Sequence, residues 1–349
     1  MNPIDALLAE KGVLLADGAM GTNLYAMGLK AGEAPELWNE THPERVAAVH
    51  RGFIDAGADI LLTNSFGGNR HRLKPHHAPD RVHELNRKAA SIARAVADKA
   101  GRRVIVAGCV GPTGRQLRPL GDLTHEEALE TFAEQIGGLK AGGAEIAWIE
   151  TMSARGEIRA AAQAAIRAGL PYVYTGSFHA RGRTPMGLAP GDVHGVADGL
   201  AQAPLAVGAN CGAGPDDTLA ALFDMIAARP GAIIVVKASC GLPERRGEAL
   251  HYPATPELMA DYARLAVDGG DMPGGLPLVG FPEISMHGAV PWGGFGINAY
   301  PQRIGEKWSF VKHLCEGGLL YSEGLFEDFN KAVHLQLYWG ETDVWAASN

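Results

Sequence analysis

Short apolar runs that alternate with amphipathic segments limit most strongly how this chain can fold. Such runs, rich in β-forming residues, are typical of strands buried on both faces of a parallel sheet. Eight runs occur, the last more weakly than the others: Val13–Ala19, Ile60–Phe66, Val104–Val110, Glu145–Glu150, Tyr172–Phe178, Leu205–Asn210, Ile233–Ser239 and Leu276–Phe281. Eight strands with helices between them favour an α/β fold of the closed (β/α)8 kind, a TIM barrel, and leave an open doubly wound sheet as the alternative.

The segments between the runs carry apolar residues at helical spacing. Six helices are predicted, at Pro43–Ala56, Asp80–Ala100, Thr124–Ala141, Ser153–Ala168, Asp216–Ala228 and Thr255–Val267. The third begins with Thr124 and has Glu127 three residues later, which is the spacing of a capping box. Helices in this rhythm would cover the faces of the parallel sheet.

A change in composition near residue 271 divides the chain into two parts. Residues 1–270 contain the first seven predicted strands, and residues 271–349 contain the eighth strand and an extension rich in aromatic residues and glycine. Helices are predicted in this extension at Gln302–Leu314 and Leu325–Leu337. An apolar extension must pack against the barrel, a partner subunit or itself, and this favours a homo-oligomer.

The composition argues against several classes of protein. The chain has 349 residues, of which 46% are hydrophobic and 20% charged, so it can bury a large core. With 31 Lys and Arg against 39 Asp and Glu, it is not expected to bind nucleic acid or an anionic membrane surface. No run approaches the ~18 apolar residues of a membrane helix. Without a secretion signal or a disulfide framework, we expect a cytoplasmic protein.

Polar residues follow the apolar runs at the ends that a parallel barrel gathers into one mouth. The candidate site residues are Asp17, Gly18, Thr63, Asn64, Glu150, Asn210 and Cys211. An acid at the end of a buried strand is unfavourable unless it has a partner or a task, so Glu150 is the most informative. Asp17 could instead cap a turn, and Asn210 could bond the adjacent turn. No glycine pattern of a nucleotide phosphate site is present.

Two thiols follow neighbouring strands in the same way. Cys211 and Cys240 each come after a predicted strand and precede a glycine. A pair of thiolates can bind Zn²⁺, although this sequence lacks the short CxxC or HExxH spacing that would make the pattern specific. Cys109 is expected to be a small buried apolar residue.

Five motifs at the predicted strand ends occur together and in a fixed order. They are Asp17-Gly-Ala-Met-Gly-Thr22, Leu62-Thr-Asn-Ser-Phe66, Gly111-Pro-Thr-Gly114, Trp148-Ile-Glu-Thr-Met152 and Gly208-Ala-Asn-Cys-Gly212. In this order they resemble the homocysteine S-methyltransferase family, and most nearly its bacterial betaine–homocysteine methyltransferase-like branch. The resemblance covers about residues 1–270, which would form a homocysteine-binding barrel.

The resemblance implies methyl transfer from a methylated onium donor, such as a betaine, to the thiol of homocysteine. A zinc ion held by thiolates would bind the homocysteine sulfur, with Cys211 as its first ligand. Asp17 and Glu150 would bind the amino-acid end of homocysteine, because carboxylates suit an ammonium group. The other candidates, Gly18, Thr63, Asn64 and Asn210, are predicted to line the substrate pocket. No side chain is assigned to the chemical step itself.

A quaternary ammonium donor would favour aromatic walls through cation–π contact. Trp38, Tyr25 and Phe66 are the candidates for such a wall. The turns Thr63–Phe66 and Gly111–Gly114, which match turns of the family, would shape the substrate pocket.

The eighth predicted strand departs from the family pattern. The family ends this strand with Gly-Gly-Cys-Cys-Gly, which completes the zinc site, whereas here the stretch is Leu278-Val-Gly-Phe-Pro-Glu283. Three explanations are open. Cys240, Cys315 or His287 replaces the missing ligands; or the pocket works without zinc or on another substrate; or the protein is catalytically altered or inactive.

The predicted function is therefore a homocysteine methyltransferase that forms methionine. The alternative is a zinc-free or inactive binder of a homocysteine-like small molecule, with the extension as a subunit interface. A third hypothesis keeps the barrel as an enzyme in which Asp17 and Glu150 act as an acid/base pair, for instance in hydrolysis.

Overall fold

The computed structural model describes residues 2–179, 182–241, 244–246, 249–271, 278–280 and 315–318. The chain divides into two compact units, Met1–Asp271 and Met272–Asn349. In the second unit, the described residues form β9 (Leu278–Gly280) and β10 (Cys315–Gly318), which pair in parallel.

Six parallel strands form the central sheet of the first unit, and their order in space is their order in the chain. They are β1 (Ile60–Leu62), β2 (Ile105–Val110), β3 (Ile146–Met152), β4 (Tyr172–Gly176), β5 (Ala206–Cys211) and β6 (Ile234–Ala238). Nearly all residues of β1 to β5 are buried, whereas those of β6 are partly exposed. A separate antiparallel pair consists of β7 (Glu244–Arg246) and β8 (Ala249–His251).

Helices alternate with the strands of this sheet. They are α1 (Pro3–Lys11), α2 (Met20–Ala26), α3 (Trp38–Thr41), α4 (Pro43–Asp55), α5 (Arg70–Leu73), α6 (Val82–Ala97), α7 (His125–Ala141), α8 (Arg155–Ala168), α9 (Pro215–Ala228) and α10 (Pro256–Asp271). Short 3-10 helices occupy Pro35–Leu37, Lys74–His76, Pro79–Arg81 and Pro190–Ala197. The last of these connects β4 to β5, where the sequence predicts no α-helix.

The start and the packing of α7 show how local sequence fixes the layers. Thr124 and Glu127 form the predicted capping box, with both reciprocal hydrogen bonds in place. Phe132, Ile136 and Leu139 lie on the buried face of the helix and belong to the main core cluster, which also includes strand residues of the sheet. This apolar stripe holds α7 against the sheet, because a helix of ordinary length is stabilised mainly by such packing.

The fold prediction is confirmed in part, as an α/β fold with a parallel sheet of six strands. The first predicted run, Val13–Ala19, contributes only an isolated parallel bridge between Ala16 and Ile60. Val13 and Leu15 are exposed, so this run is not buried on both faces as a barrel strand would be. The Leu15 N–H donates to the side chain of Asp59 rather than to a neighbouring strand.

The eighth predicted run does contain a strand, β9, but its partner in the described part of the chain is β10 of the same unit. Closure of the sheet into eight strands is therefore not seen among the described residues. The predicted helices at Gln302–Leu314 and Leu325–Leu337 lie outside the described residues. Among the helices that are described, none combines the length and the apolar character needed to cross a membrane.

Candidate active site

A cavity of about 830 Å³ is lined by residues at the carboxyl ends of the sheet strands. All seven candidate residues from the sequence border this cavity: Asp17, Gly18, Thr63, Asn64, Glu150, Asn210 and Cys211. Parallel strands bring them together because all their carboxyl ends lie on one edge of the sheet. The volume is within the range of small-molecule sites in proteins, roughly 300–1,000 Å³.

Four buried or partly buried side chains form a charged cluster in the cavity wall: Asp17, Cys109, Glu150 and Lys237. The Lys237 Nζ atom lies 3.4 Å from Asp17 Oδ1 and 3.9 Å from Glu150 Oε2. The Cys109 thiol donates to Glu150 Oε1 at 3.1 Å. Asp17 Oδ2 accepts from the backbone N–H of Leu62, the last residue of β1, at 2.8 Å. Side chains from β2, β3 and β6 thus lie around Asp17, which is itself hydrogen-bonded to the end of β1.

Burial controls the protonation of the charged cluster. It raises the pKa of Asp17 to about 6, and the nearby Lys237 ammonium limits this rise. Burial opposes the charge of Lys237, but attraction to Glu150 and Asp17 raises its pKa above the usual value. Lys237 therefore remains protonated and is not an amine nucleophile. Burial, with the adjacent Glu150, raises the pKa of Cys109 well above its usual value, so this thiol stays neutral.

A second group, the amide cluster, consists of Thr151, Thr175, Asn210 and Cys211. Asn210 Oδ1 accepts from the Thr151 N–H at 2.7 Å and from Thr175 Oγ1 at 2.6 Å. Asn210 Nδ2 donates to Thr151 Oγ1 at 2.7 Å and approaches Cys211 Sγ at 3.3 Å. The side chain of Asn210 therefore joins the ends of β3, β4 and β5.

Two residues of the amide cluster hold an uncommon backbone conformation. Thr151 has φ of 61° and Cys211 has φ of 59°, in the left-handed region that glycine usually occupies. Such residues persist when the surrounding structure over-determines them, and they concentrate at ligand sites. Here the hydrogen bonds of Asn210 hold Thr151, while the Cys211 carbonyl accepts from Ser239 N–H at 3.1 Å.

Among the described residues, the side chains next to Cys211 are not suitable ligands for a zinc ion. The neighbours of its sulfur are Thr151 Oγ1 at 3.5 Å and the Asn210 amide nitrogen, which donates hydrogens and has no lone pair for a metal. Burial of the sulfur raises the pKa of the Cys211 thiol, although the residue borders the open cavity. In the described part of the chain, no group of three or more His, Cys, Asp and Glu side chains could hold a metal.

The candidates from the loop after β1 are held in a network of their own. Thr63 Oγ1 accepts from the Cys109 N–H at 2.9 Å and lies 2.6 Å from Ser65 Oγ. Asn64 Nδ2 donates to the Pro35 carbonyl at 2.7 Å. At Gly18, an added Cβ would lie 3.0 Å from the Phe53 ring, so the backbone approaches α4 closely there. These residues shape the wall while their polar groups hold the loop.

The aromatic candidates divide into two groups. Tyr25 and Phe66 line the cavity and are partly exposed to it, at 48% and 37%. Trp38 is only 5% exposed and is not part of the cavity wall. Its ring packs 4.5 Å from His42 and carries the Arg45 guanidinium at 5.1 Å, so its cation partner is internal.

Several charged residues of the cavity wall were not predicted from the sequence, and two of them, Lys237 and Glu36, are buried or partly buried. The signal for Lys237 was present, because it interrupts an apolar run just as Glu150 does. Glu36 lies in a short 3-10 helix without a recognisable motif, where its carboxylate accepts from the Gly67 N–H at 2.6 Å. Burial raises the pKa of Glu36.

Comparison with known proteins agrees with the motifs at the strand ends. The model of the family described as homocysteine S-methyltransferase matches residues 14–280. The methionine synthase of Mycobacterium tuberculosis is 32% identical over 287 residues, which cover 77% of this chain. The chain belongs to the homocysteine S-methyltransferase family.

A second relative is similar over nearly the same share of this chain, and both relatives are longer proteins. The methionine synthase of Mycobacterium leprae is 28% identical over 288 residues, or 78% of this chain. The chain spans 23% of the length of each of these two relatives.

Solved structures of the Escherichia coli homocysteine methyltransferase MmuM share the fold. Its oxidized form matches with a TM-score of 0.63 and 24% identity, covering 77% of this chain and 92% of that one. Its metallated form matches with a TM-score of 0.58 and 22% identity, covering 76% and 98%.

Proposed function

We propose that the chain transfers a methyl group to the thiol of homocysteine and so forms methionine. Membership of the family supports this proposal. The observation that carries it is that Asp17, Glu150, Asn210 and Cys211 border a single cavity, two of them as buried acids. A buried carboxylate without a ligand or counter-charge is unfavourable, so such a pair is suited to an ammonium group.

In this proposal, residues 1–270 bind homocysteine and the charged cluster receives its α-ammonium group. Gly18, Thr63, Asn64 and Asn210 shape the wall around the amino acid. The sulfur then points along the strand ends toward Cys211. Positioning of the two reactants is the main contribution of the protein, since methyl transfer is a direct displacement that requires alignment.

The remaining part of the cavity leaves space for a methyl donor. We propose a methylated onium compound of the betaine kind, whose positive charge suits the aromatic rings of Tyr25 and Phe66. In the reaction, the homocysteine thiol first loses its proton to water. The sulfur then forms a bond to the methyl carbon while the bond from that carbon to the onium atom breaks, and the electron pair leaves with the neutral donor.

Zinc remains a proposal that rests on the family resemblance. If it binds, Cys211 is the residue that matches a family ligand, and zinc would lower the pKa of the homocysteine thiol. The proposed roles of Asp17 and Glu150 do not depend on the metal, because these residues bind the ammonium group rather than the sulfur.

Methionine formation from a labelled donor tests the proposed function. The purified chain is incubated with homocysteine and glycine betaine that carries deuterated methyl groups, and the product is followed by mass spectrometry. We expect deuterated methionine, and its absence with every onium donor tried would contradict the proposal. Asp17→Asn should reduce the yield, whereas the same change at the exposed Asp5 should not.

A second function is a homocysteine-like small-molecule binder without catalysis. The sequence Leu278-Val-Gly-Phe-Pro-Glu283 supports it, because it lacks the two cysteines with which the family completes its zinc site. A binder would show a thermal shift with homocysteine but no methionine with any donor. A sizing column would then test whether the extension forms the predicted homo-oligomer.

A further inference from the structure

Lys237 contacts both acids of the charged cluster. Its Nζ lies 3.4 Å from Asp17 Oδ1 and 3.9 Å from Glu150 Oε2. The Lys237 side chain is 21% exposed, against 2% for Asp17 and 11% for Glu150. Lys237 is therefore the most exposed of these three side chains.

The net charge of the charged cluster follows from the protonation of its members. With Asp17 and Glu150 ionised and Lys237 protonated, the cluster carries one net negative charge. Cys109 adds none, because its thiol is neutral and donates to Glu150. An amino acid that brings one ammonium group would make the whole cluster neutral. A buried group of ions is most favourable when its charges balance.

We propose that Lys237 is a positioning residue that keeps Asp17 ionised, so that the cluster recognises ligands with a single ammonium group. This inference rests on the proposed function for its choice of ligand, an α-amino acid. The groups that face Asp17 are Lys237 from β6, Glu150 from β3 and Cys109 from β2. Of these three, only Lys237 favours the ionised form of Asp17.

Removal of the ammonium of Lys237 should shift the protonation of Asp17 without removing Asp17 itself. An opposite charge at this distance typically shifts a carboxyl pKa by about 1–3 units. In Lys237→Met, Asp17 should therefore be at least half protonated at pH 7 and should release that proton when an ammonium group binds. In the unmodified chain, where burial raises the pKa of Asp17 to about 6, Asp17 is already largely ionised at that pH.

Calorimetry of L-methionine binding tests this inference, since the product has the ammonium group but no thiol proton. Titrations at pH 7 in buffers of different ionisation enthalpy count the protons released. We expect nearly none for the unmodified chain, between about a half and one for Lys237→Met, and nearly none for Lys237→Arg, which keeps the charge. A merely structural lysine would change affinity without changing the proton count. Equal proton counts in all three proteins would overturn the proposal.

Two controls separate this inference from the proposed function. A ligand without the ammonium group, 4-(methylthio)butanoate, should show no difference in proton release among the three proteins. If L-methionine does not bind at all, the proposed function fails, and Asp17 is then measured without ligand. The pH dependence of unfolding is compared between Asp17→Asn and its parent, with and without Lys237→Met. The midpoint should rise by about 1–3 pH units in the Met background, and an unchanged midpoint would overturn the role of Lys237.

Discussion

The charged cluster and the amide cluster lie at the ends of the same sheet but are stabilised in different ways. In the charged cluster, Lys237 attracts Asp17 and Glu150 across N–O distances of 3.4 Å and 3.9 Å, and Asp17 also accepts from a backbone N–H. In the amide cluster, Asn210 makes three bonds of 2.6–2.7 Å, and none of its partners there is charged. The stability of the charged cluster therefore depends on pH, whereas that of the amide cluster depends on the geometry of its hydrogen bonds.

This difference indicates a division of roles within the cavity. A cluster of charges can accept a charged ligand group, because the charge of the ligand offsets the net charge of the cluster. The side chains need little rearrangement for this. A hydrogen-bonded amide already has its partners, so its function is to fix the backbone around Thr151 and Cys211. Substitutions should therefore affect ligand binding in the charged cluster and stability in the amide cluster.

The largest expected effect is on stability, from Asn210→Ala. This change leaves the N–H of the partly buried Thr151 and the hydroxyl of the buried Thr175 without their acceptor, and each such loss costs about 1–3 kcal/mol. We expect the free energy of unfolding in urea to fall by about 2–6 kcal/mol. The control is Asn23→Ala, at an exposed site on α2, which should change it by less than about 0.5 kcal/mol. Equal effects at the two sites would remove the contrast between the clusters.

The next effect is on binding, from Glu150→Gln. The change keeps the size of the side chain but removes one of the two charges proposed to receive the ammonium group. The Kd for homocysteine should rise roughly 10–100-fold, with kcat nearly unchanged, because a charged hydrogen bond contributes about 1.5–3 kcal/mol. Glu130→Gln, at an exposed ion pair with Arg167, is the matched control. A large fall in kcat at unchanged affinity would instead favour the acid/base hypothesis.

The sequence predicted the acids of the site better than the lysine between them. Glu150 could be found because a carboxylate at the end of an apolar strand needs a partner, and Asp17 belongs to a family motif. Lys237 gives the same signal, but its relation to Asp17 spans 220 positions and exists only once the sheet is formed. The bonds of Asn210 to Thr151 and Thr175 likewise depend on three strands meeting in register.

Two predictions fell short because the type of a residue does not by itself determine where the residue is buried. The run Val13–Ala19 has the residue types of a strand, but only its face with Leu14 and Ala16 packs against a core cluster. Val13 and Leu15, on the other face, are exposed. Trp38 is a predicted cavity residue because aromatic rings suit an onium group. In the structure this ring packs in a core cluster with Leu24 and Val46, away from the cavity wall.

A smaller effect is expected from pH. The folded chain holds the Asp17 proton more tightly than the unfolded chain does, because the pKa rises from 3.8 to about 6. The stabilisation from Asp17 is therefore fully present below pH 3.8 and is lost as the pH rises through about 6. Between pH 7 and pH 5, the unmodified chain should gain about 1 kcal/mol more stability than Asp17→Asn. Other acids, such as Glu36 and Glu157, titrate in both proteins and cancel in the difference, so parallel curves would show that Asp17 is not buried as described.

The smallest effect is expected from Cys211→Ser on bound zinc. In the described part of the chain, the Cys211 sulfur faces hydrogen donors of Asn210 and Thr151 rather than further thiolate or imidazole ligands. One thiolate alone holds zinc weakly, since structural and catalytic sites use three or four protein ligands. After dialysis, elemental analysis should find well under one zinc per chain. Cys211→Ser should leave this amount unchanged, and so should Cys240→Ser, at the other thiol that the sequence offers as a ligand. Stoichiometric zinc that only Cys211→Ser removes would mean that residues outside the described part, with Cys315 and His287 as the sequence candidates, complete a metal site. The amide cluster would then orient a metal ligand as well as the backbone. In that case both clusters would serve ligand binding, and they would differ only in that one of them carries a net charge.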